Sequence, residues 1–114
     1  MAYIIYMTFI ETKVFTRQIT ELISDENYKA LQEELIKHPK KGSVIVGGGG
    51  IRKIRWNMGD GRGKSGGIRT IYFFRETKEK ILMLLAYPKN VSDNLSDEQL
   101  KICKTIAKEF ENEE

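Results

Sequence analysis

The spacing of apolar residues changes several times along the chain, and each change marks an element. Ile4 to Glu11 is dense in β-branched and aromatic residues and short, which predicts a strand. Thr12 is placed to cap a helix. Phe15, Ile19, Leu22 and Ile23 recur at helical spacing, so a short amphipathic helix is expected from about Lys13 to Ile23. Ser24-Asp25-Glu26 restarts the chain with a capping serine and two acids in a first turn that favours negative charge. Tyr28, Leu31, Leu35 and Ile36 then line one face of a second helix, and Pro39 ends it. Almost nothing separates the two helices, so they should form a helical hairpin.

From Val44 the period becomes that of strands. Val44-Ile45-Val46 is a brief apolar stretch before four glycines, Gly47 to Gly50, which suit a tight entry into the next strand. Between Ile51 and Trp56 the residues alternate. Arg52, Ile54 and Trp56 face one way, and Ile51, Lys53 and Arg55 the other. A long glycine-rich loop, Asn57 to Gly67, leads into a strand from Gly67 to Arg75 that puts Arg69, Ile71, Phe73 and Arg75 on one face. Antiparallel pairing of these strands brings Arg69 towards Lys53 and Arg55. Ile81 to Tyr87 is apolar throughout, which predicts a strand covered on both faces at the centre of the sheet. Ser96 and Gln99 have capping-box spacing, and Leu95 is placed to staple onto Leu100. The final helix buries Leu100, Cys103, Ile106, Ala107 and Phe110, and its acidic tail from Glu111, like the opening Met1 to Tyr6, is expected to fray. The pattern as a whole is α+β, read as one domain over residues 1–114: a small antiparallel sheet of about four strands, two N-terminal helices and a C-terminal helix.

Composition narrows the picture. With 114 residues, 40% hydrophobic and 31% charged, the chain is that of a globular protein rather than a disordered one. One cysteine excludes a disulfide framework within the chain. No apolar run approaches the ~18 residues of a membrane span, and the apolar opening lacks a charged n-region and a cleavage site. The default expectation is a cytoplasmic protein with no membrane partner. Charge is the informative term. Ile51 to Arg75 holds seven Lys/Arg against one acid, Asp60, giving +6 in a chain of net charge +3. Such a field on one hairpin most often serves nucleic-acid phosphate, against the plainer alternative of a solvated surface.

Other motifs carry less. Gly61, Gly63 and Gly66 spell the glycine fingerprint of dinucleotide sites, and Gly63-Lys64-Ser65 resembles the end of a phosphate-binding loop. Both require a helix to begin there, whereas an aromatic, β-branched strand comes next. His38, the only histidine, sits at a helix C-terminus, where capping is its natural role. With one histidine and one cysteine, nucleophilic triads and metal clusters have little support. Trp56, Tyr72 and Phe74 are read as core.

The segments Gly49 to Arg55, Gly61 to Tyr72 and Tyr87-Pro88-Lys89-Asn90 resemble toxins of the RelE/ParE superfamily, the HigB-like branch of RelE toxins most of all. Phe9 to Thr12, Ser24 to Glu26 and Leu95 to Leu100 agree, so the resemblance spans roughly Phe9 to Phe110. It implies a twisted antiparallel sheet packed on helices. It also implies a toxin that enters the ribosome and cuts mRNA without a metal or a small-molecule cofactor, and that is neutralised by a cognate antitoxin. By that resemblance Lys53 and Arg55 match the family's basic pair, with Lys53 as general base, and Arg69 matches the arginine on the scissile phosphate. Arg52, Arg62, Lys64 and Lys89 would hold further nucleic-acid phosphates. The chain departs from some members in carrying Asn90 after Lys89 and no tyrosine beyond Tyr87. A gyrase poison of the ParE kind and a non-catalytic RNA-binding module are the competing readings.

Overall fold

Thr12 explains how the chain folds back after its first strand. In a computed structural model that describes residues 6–57, 67–91 and 94–114, strand β1 (Thr8–Glu11) ends at Thr12, the N-cap of helix α1 (Lys13–Leu22). The Thr12 hydroxyl accepts from the Phe15 N–H at 3.0 Å and donates to the Leu84 carbonyl at 2.9 Å. One side chain thus starts the helix and ties it to the sheet. Thr12→Ala should therefore cost more than an exposed cap, about 1.5 kcal/mol, seen as a lower urea midpoint with an unchanged slope.

Ser24 caps α2 (Asp25–Lys37) by accepting from the Asn27 N–H at 3.1 Å, with Asp25 and Glu26 in the first turn, and His38 is the C-cap. Strand β2 (Ser43–Val44) leads to a turn in which Gly47, Gly49 and Gly50 have φ of 75°, 67° and 101°. Side chains rarely adopt that region, so the glycine run serves a tight turn into β3 (Arg52–Trp56). Then come β4 (Ile68–Arg75), a 3-10 turn (Glu76–Lys78), β5 (Lys80–Pro88) and α3 (Asp97–Glu111).

The sheet has five strands in the order β1-β5-β4-β3-β2. It departs from the expected sheet in three ways. The short stretch at Ser43–Val44 pairs with β3 and adds a fifth strand. The β1–β5 pair is parallel rather than antiparallel, because α1, α2 and the β2–β4 segment carry the chain round between them. The centre is β4, buried from Ile68 through Phe73, while the apolar β5 lies beside it. Leu84 forms a bulge where Ile71 pairs with Leu85 but Tyr72 with Met83. It shifts the alternation of β5, so that Tyr87 comes opposite Arg69.

Each face of the sheet has its own core. Phe15 and Ile19 of α1 and Leu31 and Leu35 of α2 pack on Ile54, Ile68, Tyr72, Ile81 and Met83. On the other face Cys103, Ala107 and Phe110 of α3 pack on Ile51, Ile71, Phe73, Leu82 and Leu84. The Ser96–Gln99 capping box is formed in both directions, and Leu95 and Leu100 join the α3 core. Burial pushes the Cys103 thiol up, as befits a core residue. Arg75 fastens the end of α3 by donating to the carbonyls of Phe110 and Glu113. Met1–Ile5 lie outside the described residues.

Candidate nucleic-acid interface

The antiparallel register of β3 on β4 decides which cations meet. Lys53 lies opposite Ile71, and Arg55 lies directly opposite Arg69. Opposite residues share a face, so Lys53, Arg55 and Arg69 stand together on the α3 side of the sheet, beyond the end of the α3 core. Arg69 is only 3% exposed, whereas Arg55 is exposed. One guanidinium is therefore at the surface and the other beneath it, flanked on its far side by Tyr87.

Lys53 is held from a distant part of the chain. Its Nζ donates to Asn94 Oδ1 at 3.2 Å, just before the α3 cap. Nothing in the sequence marks Asn94, a lone amide in a polar connection. Lys53, Arg55 and Asn94 line a groove of about 660 Å³ together with residues of the β2 edge, Ser43 to Val46. Lys41 stands at its margin, paired with Glu34 at 2.9 Å, and that pairing lowers the Glu34 carboxyl.

The remaining expected site residues separate. Arg52 is on the other face, and its Nη1 donates to the carbonyls of Lys40 at 3.1 Å and Gly42 at 2.7 Å. Its charge satisfies the chain between α2 and β2 rather than joining Lys53 and Arg55. Lys89 is exposed, and its backbone N–H donates to the Gly67 carbonyl at 3.0 Å. That bond sets Lys89 at the sheet end where β4 begins, against Gly67, two residues before Arg69. Arg62 and Lys64 lie outside the described residues. Trp56, Tyr72 and Phe74 all contribute to the core on the α1 and α2 face.

Chemically, this is an anion site. Two arginines and a lysine converge on one strand pair with no carboxylate among the groove residues. Among the described residues no group of three or more His, Cys, Asp or Glu is placed to hold a metal, and no helix is long and apolar enough to cross a membrane.

Comparison with known proteins adds the lineage. A free-state arginine-to-alanine double mutant of the Escherichia coli toxin RelE has a similar structure, with a TM-score of 0.51 at 15% identity over 78% of this chain and 90% of that one. At that identity the match establishes the fold: three helices with a mixed five-stranded sheet, RelE-like and α+β. The family model for the RelE toxin of the RelE/RelB toxin–antitoxin system matches residues 7–114, nearly the whole length, and the chain accordingly belongs to the RelE toxin family.

Proposed function

We propose that this toxin cuts messenger RNA in the ribosome, without a metal ion, and so arrests translation. The observation that carries the reading is the β3–β4 register, which sets Arg55 opposite Arg69 with Lys53 two residues along the same face. RNA brings its own nucleophile, the 2′-hydroxyl. Its oxygen attacks the adjacent phosphorus and the bond to the 5′-oxygen breaks, leaving a 2′,3′-cyclic phosphate and a 5′-hydroxyl. The 2′ proton passes to a base and the leaving oxygen takes a proton. The protein must supply charge stabilisation, geometry and proton transfer.

In this reading Lys53 is the base at the 2′-hydroxyl, held in place by Asn94. Arg55 meets the developing charge on the phosphate oxygens, and Arg69 supports it from beneath, where a lower dielectric strengthens its field. Lys89, with Arg62 and Lys64, neutralises flanking phosphates. The groove is open, so it does not itself bend RNA into the in-line geometry the attack requires. A ribosome presenting the message supplies that orientation. RelE family membership implies an antitoxin partner.

Primer extension on a defined mRNA in a purified translation system, with and without ribosomes, tests the reading. Cuts within the coding sequence are expected only when ribosomes are present. Cutting of naked RNA at the same rate would remove the ribosome from the mechanism. No cuts from folded protein under either condition would overturn it and favour gyrase as the target.

A further inference from the structure

We infer that the flank of α3 carrying Lys101, Lys104 and Lys108 is a second phosphate-binding surface, which holds a length of RNA backbone running away from Lys53 and Arg55. The inference goes beyond the cleavage reading, because it is measured as binding and holds whether or not the RNA is cut.

α3 sorts its charges by side. Lys101, Lys104 and Lys108 recur at three and four residues, so they share one flank of the helix, and all three are exposed. Glu98, Ile102 and Glu109 fall on the other flank, and Asp97 and Glu111 stand at the two ends of the lysine stripe. Packing shows which way each flank faces. Ile102 and Ile106 line a cleft with Thr12 and Val14, on the β1 side of the sheet. The Lys104 stem lies against the glycine turn that leads into β3: a Cβ on Gly49 would meet its Cγ at 3.4 Å. The lysine flank therefore faces the β3 side, where Lys53 and Arg55 stand. The two sets of cations meet at the helix entry, where Asn94 accepts from Lys53 just before the Ser96 cap.

These charges are not neutralised within the fold. Among the described residues, no acid lies within ion-pair reach of any of the three lysines; the ion pairs there are Lys40–Glu76 and Lys41–Glu34. Lysines on exposed helix faces commonly serve solubility alone. Three on one flank, with acids on the other and an anion site alongside, make a polyanion surface. The choice of RNA over an acidic protein follows from what the flank lacks. Protein interfaces are built round an apolar centre and are depleted in lysine, and this flank presents no exposed large apolar side chain. A phosphate backbone needs only charge at intervals. From Lys101 to Lys108 the helix rises about 10 Å, which covers about three phosphates of one strand. That backbone is either the message beyond the cut or ribosomal RNA beside it, and the chemistry is the same for both.

The test is equilibrium binding of fluorescently labelled toxin over a salt series. Its targets are a short single-stranded RNA, ribosomes without message and ribosomes holding a defined message. Lys101→Gln with Lys104→Gln and Lys108→Gln should bind at least one target about tenfold more weakly in low salt. Its plot of log affinity against log salt should be about two units shallower. Lys29→Gln with Lys37→Gln and Lys78→Gln removes the same charge from exposed positions elsewhere and should bind as wild type. Glutamine is as good a helix former as lysine, so the α3 variant folds. Weakening confined to free RNA and message-bearing ribosomes assigns the flank to the message. Equal weakening on ribosomes with and without message assigns it to ribosomal RNA. The arginine triple at the α3 positions keeps the charge and should bind as wild type. If it binds as poorly as the glutamine triple, the lysines act through helix packing and the inference falls. It falls too if the α3 and control variants match on every target. Intact RNA binding with lost neutralisation by the cognate antitoxin would overturn it as well and give the flank to a protein. Toxin that binds RNA through α3 yet cuts nothing would keep this inference and overturn the cleavage reading.

Discussion

Arg69→Met is expected to lose at least about a hundredfold in cleavage rate and yet to melt later than wild type. The loss stems from the role of a preorganised cation, whose removal typically costs that much when charge builds in the transition state. The gain stems from where the arginine sits. It is nearly buried and lies directly opposite Arg55, and like charges opposite one another destabilise a strand pair. Burying a charge also costs desolvation that an apolar side chain of similar volume escapes. About 1 kcal/mol is the expected gain, or roughly 4 °C in a domain of this size. Under the proposed reading, a bound phosphate would relieve that repulsion. A thermal melt and a primer-extension time course on the same preparation check both halves. Arg69→Met that cuts normally would remove Arg69 from the site. Arg69→Met that cuts poorly and melts early would make its role structural.

That pairing is legible in the sequence, because period-two alternation fixes which residues share a face. Lys53 and Arg55 share one by parity alone, and Arg69 joins them once the strands pair antiparallel. The helices are legible for a similar reason, since Thr12, Ser24 and Ser96 are caps whose partners lie three residues away. The hidden features are non-local. The parallel β1–β5 pair leaves no mark in either strand's alternation. The β2 strand pairs only Ser43 and Val44, too short to declare itself beside four glycines. Parity puts Arg52 on its observed face, but charge alone does not reveal that its guanidinium ends on two backbone carbonyls. Asn94 carries no signal at all until the fold brings it to Lys53 across 41 residues.

The other large effect is expected on stability, at Tyr72. Its ring is fully buried in the core beneath α1 and α2. Its hydroxyl accepts from the Gly42 N–H at 2.9 Å and donates to the Pro39 carbonyl at 2.8 Å. Burial pushes the phenol up, against the lowering effect of the Gly42 bond, so the hydroxyl remains a donor. Gly42 is required there, because a Cβ at that position would stand 2.8 Å from the Tyr72 ring and 3.0 Å from the Lys53 carbonyl. Tyr72 and Arg52 together fasten residues 39–42 to the sheet and so fix where β2 begins. Tyr72→Phe should leave the protein folded but cost about 2 kcal/mol, from one N–H and one carbonyl left without their partner. Tyr72→Ala should cost about 5 kcal/mol once the core cavity is added, which is most of the stability of a marginal domain. Urea titrations of the two variants separate the contributions. A wild-type urea midpoint in Tyr72→Phe would mean that something other than the phenol holds the α2–β2 connection.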